Sequence, residues 1–91
     1  MVEKSNNMIL LEHIQKLPIG YSEVNYEGEK YGVTKSEFNQ GKSYKIYAEE
    51  LGGTDFISLN YYRINKGEYL KPCEMPKQKV IHFFRNYVLL S

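Results

Sequence analysis

Across residues 45–64, apolar and polar side chains alternate with a period of two on either side of Gly52-Gly53. Successive side chains of a strand point to opposite faces, so this pattern predicts a hairpin of two strands, at about 43–51 and 55–64. In the first strand Tyr44, Ile46 and Ala48 share a face, with Lys45, Tyr47 and Glu49 opposite. In the second, Ile57, Leu59 and Tyr61 share a face, with Phe56, Ser58, Asn60 and Tyr62 opposite. The more apolar set of each strand is expected to face a core.

The same reading extends to the flanks. Leu10, Leu11, Ile14 and Leu17 recur at helical spacing between Ser5, Asn6 or Asn7 as N-cap and Pro18-Ile19-Gly20 as stop, which predicts an amphipathic helix over 5–17. Val24 with Tyr26 and Tyr31 with Val33 alternate around Glu27-Gly28, predicting a further hairpin whose second strand runs on toward Phe38 before the Asn39-Gln40-Gly41 turn. Asn65-Lys66-Gly67 then turns the chain into a strand at 68–73, which Pro72 confines to a sheet edge. Pro76 suits a first helical position, and Val80, Phe83, Phe84 and Tyr87 repeat at i, i+3, i+4 and i+7, predicting a second helix to about Leu90. The expected fold class is α+β: an N-terminal helix, an antiparallel meander of four or five strands, and a C-terminal helix. One sheet face is expected to carry the helices and the other to meet solvent or a partner.

Ninety-one residues supply one core and therefore one domain, 1–91. A formal charge of +1 gives little of the basic surface that neutralising several phosphates requires, and so weighs against nucleic acid as the main partner. The single cysteine, Cys73, excludes an intramolecular disulfide, and a cytoplasmic location is expected. The apolar run at 8–11 is too short to span a bilayer, so no membrane partner is expected. Nine tyrosines beside four phenylalanines and no tryptophan suit half-buried sheet positions and contact surfaces alike.

Few residues carry recognisable chemistry. Glycine loops for phosphate, paired cysteines and HExxH are all missing, so neither cofactor nor metal is expected; His13 lies off the apolar stripe with no ligand-spaced neighbour. Gly52-Gly53-Thr54-Asp55 reads either as a turn demanding positive φ or as an anion cradle. Cys73 sits between Pro72 and Pro76 at the expected helix entry, where a thiolate could be stabilised, although Glu74 opposes this; the alternative is a small side chain filling a junction. Lys77 and Lys79 resemble the lysines that open the second helix of double-stranded RNA-binding domains, but those domains have three strands and denser positive charge. The presumed outer face, with Tyr47, Glu49, Phe56, Asn60 and Tyr62, has the composition of a contact surface.

The stretches Tyr31-Gly32-Val33-Thr34, residues 47–60 (YAEELGGTDFISLN) and residues 70–76 (LKPCEMP) resemble a family of short, uncharacterised bacterial proteins, some of them labelled peptide methionine sulfoxide reductase. The resemblance implies sulfoxide attack by Cys73, with an external thiol completing the cycle. The sequence departs from the reductases' Gly-Cys-Phe-Trp motif, since Cys73 lies between Pro72 and Glu74. Three readings follow: an interaction domain using the aromatic face with a protein partner or a second copy, a thiol-dependent reductase using Cys73, and a weak RNA-binding module.

Overall fold

The computed structural model describes residues 10–64 and 67–90. Residues 10–16 are helical (α1); the expected start of this helix at 5–9 and the Asn65-Lys66 turn lie outside the described residues. Then come β1 (Gly20–Tyr26), β2 (Glu29–Phe38), β3 (Ser43–Glu50), β4 (Phe56–Ile64), β5 (Gly67–Pro72), α2 (Lys77–Asn86) and β6 (Val88–Leu89). The strands form one antiparallel sheet in the order β5-β4-β3-β2-β1-β6, so the expected α+β meander is present with one more strand than foreseen.

That extra strand corrects the expected end of α2. The helix stops at Asn86, Tyr87 is its extended C-cap, and Val88 and Leu89 pair with Asn25 and Val24 of β1. Val88 has the high strand propensity of a β-branched residue, and the free edge of β1 lies beside the pair. Pro76 is the N-cap, one position earlier than expected. α2 begins beside β5, at one sheet edge, and hands the chain to β6 at the other, so it crosses the sheet and covers its inner face.

The inner face is the core. Val24, Val33, Ile46, Ala48, Ile57, Leu59 and Tyr61 from the strands meet Ile14 of α1, Leu17 just after it, and Val80, Phe83 and Phe84 of α2, all of them buried. Phe83 sits at the centre, edge-on to Tyr26 at 5.0 Å and to Phe84 at 5.6 Å, and stacked on Tyr87 at 5.6 Å. Burying such side chains contributes on the order of 2 kcal/mol each. The face assignment made from the alternation of β3 and β4 therefore holds.

Lys35 interrupts this apolar layer. By strand parity it follows Tyr31 and Val33 onto the inner face, where it is only 4% exposed. Its Nζ donates to the carbonyls of Ile14 and Leu17, both at 2.7 Å, and lies 4.8 Å from the centre of the Tyr44 ring. The last carbonyls of a helix are short of donors and carry partial negative charge; Ile14 has otherwise only the Leu17 N–H at 3.2 Å, so a buried ammonium answers both needs. Burial pushes the Lys35 pKa down, partly offset by Glu37.

The β1–β2 and β2–β3 turns are built from left-handed residues, the second at Asn39, Gln40 and Gly41. Glu27 (φ 57°) and Gly28 (φ 80°) make the two-residue β1–β2 link, the backbone of a primed turn that matches strand twist. Glutamate is a costly residue there, since a left-handed conformation strains a side chain with a Cβ by about 1 kcal/mol. Glu27→Asn is thus expected to raise the unfolding free energy by roughly 0.5–1 kcal/mol, visible as a higher midpoint in urea; an unchanged or lower midpoint would show that Glu27 is held by more than its turn.

Candidate functional site

Among the described residues no helix lies on the outer sheet face, and its side chains fall into rows fixed by the strand register. One row runs Tyr21, Thr34, Tyr47, Ser58 across β1 to β4. On one side lies Glu23, Gly32, Glu49, Phe56, and on the other Ser36, Lys45, Asn60, Lys71. Tyr47, Glu49, Phe56, Asn60 and Tyr62, the residues singled out from alternation, all lie on this face: Tyr47 and Glu49 are exposed, and Phe56, Asn60 and Tyr62 half-buried.

The rings occur in pairs. Tyr47 and Phe56 lie 6.1 Å apart, and Tyr62 and Tyr69 6.0 Å apart, each pair tilted by about 30°. Tyr21 lies over Gly32: a Cβ on that glycine would come within 2.6 Å of the Tyr21 hydroxyl, so the missing side chain lets the ring lie flat against the sheet. Tyr21, at 59% exposure, and Tyr69, at 52%, extend the patch to both sides of the residues expected from sequence. Parity assigns both outward, on strands that flank the central hairpin.

Cys73 is placed differently from its sequence expectation. It is half-buried, its N–H donates to the Ser58 carbonyl at 2.9 Å, and it precedes the Pro76 N-cap by three residues with Glu74 left-handed between them. The thiol is therefore outside the first turn of α2, where the helix dipole acts most strongly. The β3–β4 loop likewise differs from the expected positive-φ glycine pair, since neither Gly52 nor Gly53 is left-handed. At Gly53 a Cβ would lie 2.5 Å from the Glu50 carboxylate, which would have to swing aside to admit it. That carboxylate accepts the Asp55 N–H at 3.2 Å, so an internal anion already occupies the loop.

The hairpin end of the inner face holds a polar cluster that spacing did not reveal, because its members come from distant segments. Asp55 accepts from the Tyr31 hydroxyl at 2.7 Å and from Lys79 Nζ at 2.5 Å. The Lys79 ammonium and the Tyr31 hydroxyl hold the Asp55 carboxyl below its ordinary range, despite some opposing burial. Lys79, one of the lysines considered for phosphate, thus has its charge matched by Asp55. Nearby, the Tyr26 hydroxyl and His82 Nδ1 share a hydrogen bond of 2.5 Å, and His82 Nε2 lies 3.7 Å from Glu27. The cluster tethers α2 to two hairpins.

A groove of about 470 Å³ between α1 and the end of α2 is lined by His13, Lys16, Arg85, Tyr87, Val88 and Leu89. Burial, with Lys16 and Arg85 close by, pushes the His13 pKa down. Among the described residues no cluster of His, Cys, Asp and Glu is arranged to hold a metal, and no helix is long and apolar enough to cross a membrane. No family model, curated protein or solved structure matches the chain.

Proposed function

We propose that this chain is a small non-catalytic interaction domain that docks a protein through its outer sheet face, in the reducing environment that its lone cysteine suits. The observation that carries the reading is the run of aromatic side chains across a face from which both helices are absent, with Tyr21, Tyr47 and Tyr69 all more than 40% exposed. Tyrosine supplies large contact area at small entropic cost and keeps a hydrogen-bonding tip, which is why it is common at contact hot spots. Gly32, Thr34 and Ser58 lie among these rings with small or absent side chains, leaving room for a flat partner surface. None of the hydrogen bonds of Cys73 favours the thiol reading over this one.

Tyr47→Ala combined with Tyr62→Ala is expected to weaken association by about 100-fold or more, at roughly 1.5 kcal/mol for each anchoring tyrosine. Circular dichroism should be unchanged, since both side chains project away from the core. Sedimentation velocity and affinity capture read the association; wild-type behaviour in both would defeat the proposal.

A further inference from the structure

We infer that the partner of the outer face is a second copy of this chain, joined across a two-fold axis that runs along the Thr34–Tyr47–Ser58 row. The inference rests on the contact reading of that face and adds the identity of the partner. It comes from how charge is laid out about Tyr47. Lys45 and Glu49 stand two residues to either side of Tyr47 on β3, displaced by roughly 7 Å in opposite directions along the strand. They have opposite charge and are the same distance from the row.

An isologous contact requires a surface complementary to its own rotated image. Rotation about an axis lying along the row, in the plane between two stacked sheets, reverses the strand direction and leaves the cross-strand position unchanged. Lys45 of each copy is then carried onto Glu49 of the other, giving two equivalent ion pairs, one on either side of a Tyr47–Tyr47 contact. The same operation sets Phe56 over Asn60 and Ser36 over Gly32, placing a ring against an amide and a small side chain against the position covered by Tyr21. Face-to-face sheets stand about 10 Å apart with strands nearly aligned, a separation that lysine and glutamate side chains span together.

Of the other charges in these rows, Lys71 lies on the edge strand β5 and is carried by the rotation to the Glu49 side of the other copy, two strands away. Glu23 is engaged within its own chain, by Lys30 at 3.8 Å and by the Tyr21 hydroxyl at 3.1 Å. Lys45 and Glu49 form no ion pair with another described residue. An axis running along the strands instead would leave Lys45 beside its own image and Glu49 beside its own, setting like charges together.

Because each substitution acts twice in a symmetric pair, Lys45→Glu and Glu49→Lys should each weaken self-association by about 100-fold. Each single variant carries one sign of charge at both positions, so mixing the two should restore a heterodimer within about threefold of the wild-type affinity. Sedimentation equilibrium of each variant alone and of the mixture reads this directly, and the recovered mixture shows that both variants fold. A wild type that stays monomeric at millimolar concentration would overturn the inference while leaving the contact face open to a different protein. Dimerisation that neither substitution weakens, or that mixing fails to restore, would overturn the axis. Loss of all association in the Tyr47/Tyr62 variant separates the face itself from the choice of partner.

Discussion

Replacing Lys35 with methionine is expected to lower the unfolding free energy by roughly 3 kcal/mol, a large part of the 5–15 kcal/mol typical of a domain. Two effects compete. The buried ammonium carries a desolvation cost, evident in its depressed pKa, and exchanging a buried charge for an apolar side chain often costs little when its partners can be exchanged as well. Here they cannot be, because the partners are main-chain carbonyls of Ile14 and Leu17 at the end of α1. Methionine would strip the Leu17 carbonyl of the donor that Lys35 supplies, at a cost of about 1–3 kcal/mol, and would leave the Ile14 carbonyl with only the Leu17 N–H at 3.2 Å, a smaller loss. Urea denaturation should show a lower midpoint at constant slope; a shift equivalent to less than about 0.5 kcal/mol would mean that water replaces the lysine without loss.

The second large effect is alkaline instability. Burial, aided by the hydrogen bond to Asp55, pushes the Tyr31 hydroxyl well above its ordinary pKa of 10, and burial with the Glu68 hydrogen bond at 2.5 Å does the same for Tyr61. Burial raises Tyr87 to about 12. A phenol whose folded pKa is raised stays neutral in the native state while the unfolded chain ionises. Its contribution is fully present below pH 10 and is lost as pH climbs toward the folded value. At pH 11 each of these three tyrosines costs about 1.4 kcal/mol, or roughly 4 kcal/mol together. Lys35 has the opposite sign, since its depressed pKa makes the native state gain as pH approaches 10.5, and so it offsets part of the loss. Unfolding should therefore set in between pH 10 and 12, with the ultraviolet signal of tyrosinate appearing in two stages, the exposed rings first and the buried ones with the loss of structure. A single smooth titration of all tyrosines near pH 10 would contradict the burial of Tyr31 and Tyr61 and the half-buried placement of Tyr87.

Alternation was enough to orient β3 and β4, because one face of that hairpin is buried and a shift of one residue would turn Ile46 and Leu59 outward. The same rule, applied one strand earlier, marks Lys35 as inward-facing; a lysine there contradicts the usual composition of a core and acquires a reason only when the end of α1 is set beside it. Helical periodicity carried the expected α2 past Tyr87, since Val88 and Leu89 are apolar in either conformation, and the free edge of β1 that captures them comes from the other end of the chain. The Asp55–Lys79–Tyr31 and Tyr26–His82 contacts were hidden for a similar reason: they join residues between 24 and 56 positions apart. The aromatic face was legible as far as its central strands, and only the full register joined Tyr21 and Tyr69 to it.

The central claim is that the outer sheet face, and not the groove or the polar end, is where this domain meets its partner. Recording the amide spectrum of the isotope-labelled chain across a dilution series tests it most directly. The account predicts concentration-dependent shifts confined to Thr34, residues 45–49 and residues 56–62, with α1 and α2 silent. Shifts centred on His13, Lys16 and Arg85, or on His82 and Lys79, with the outer face unmoved, would contradict it.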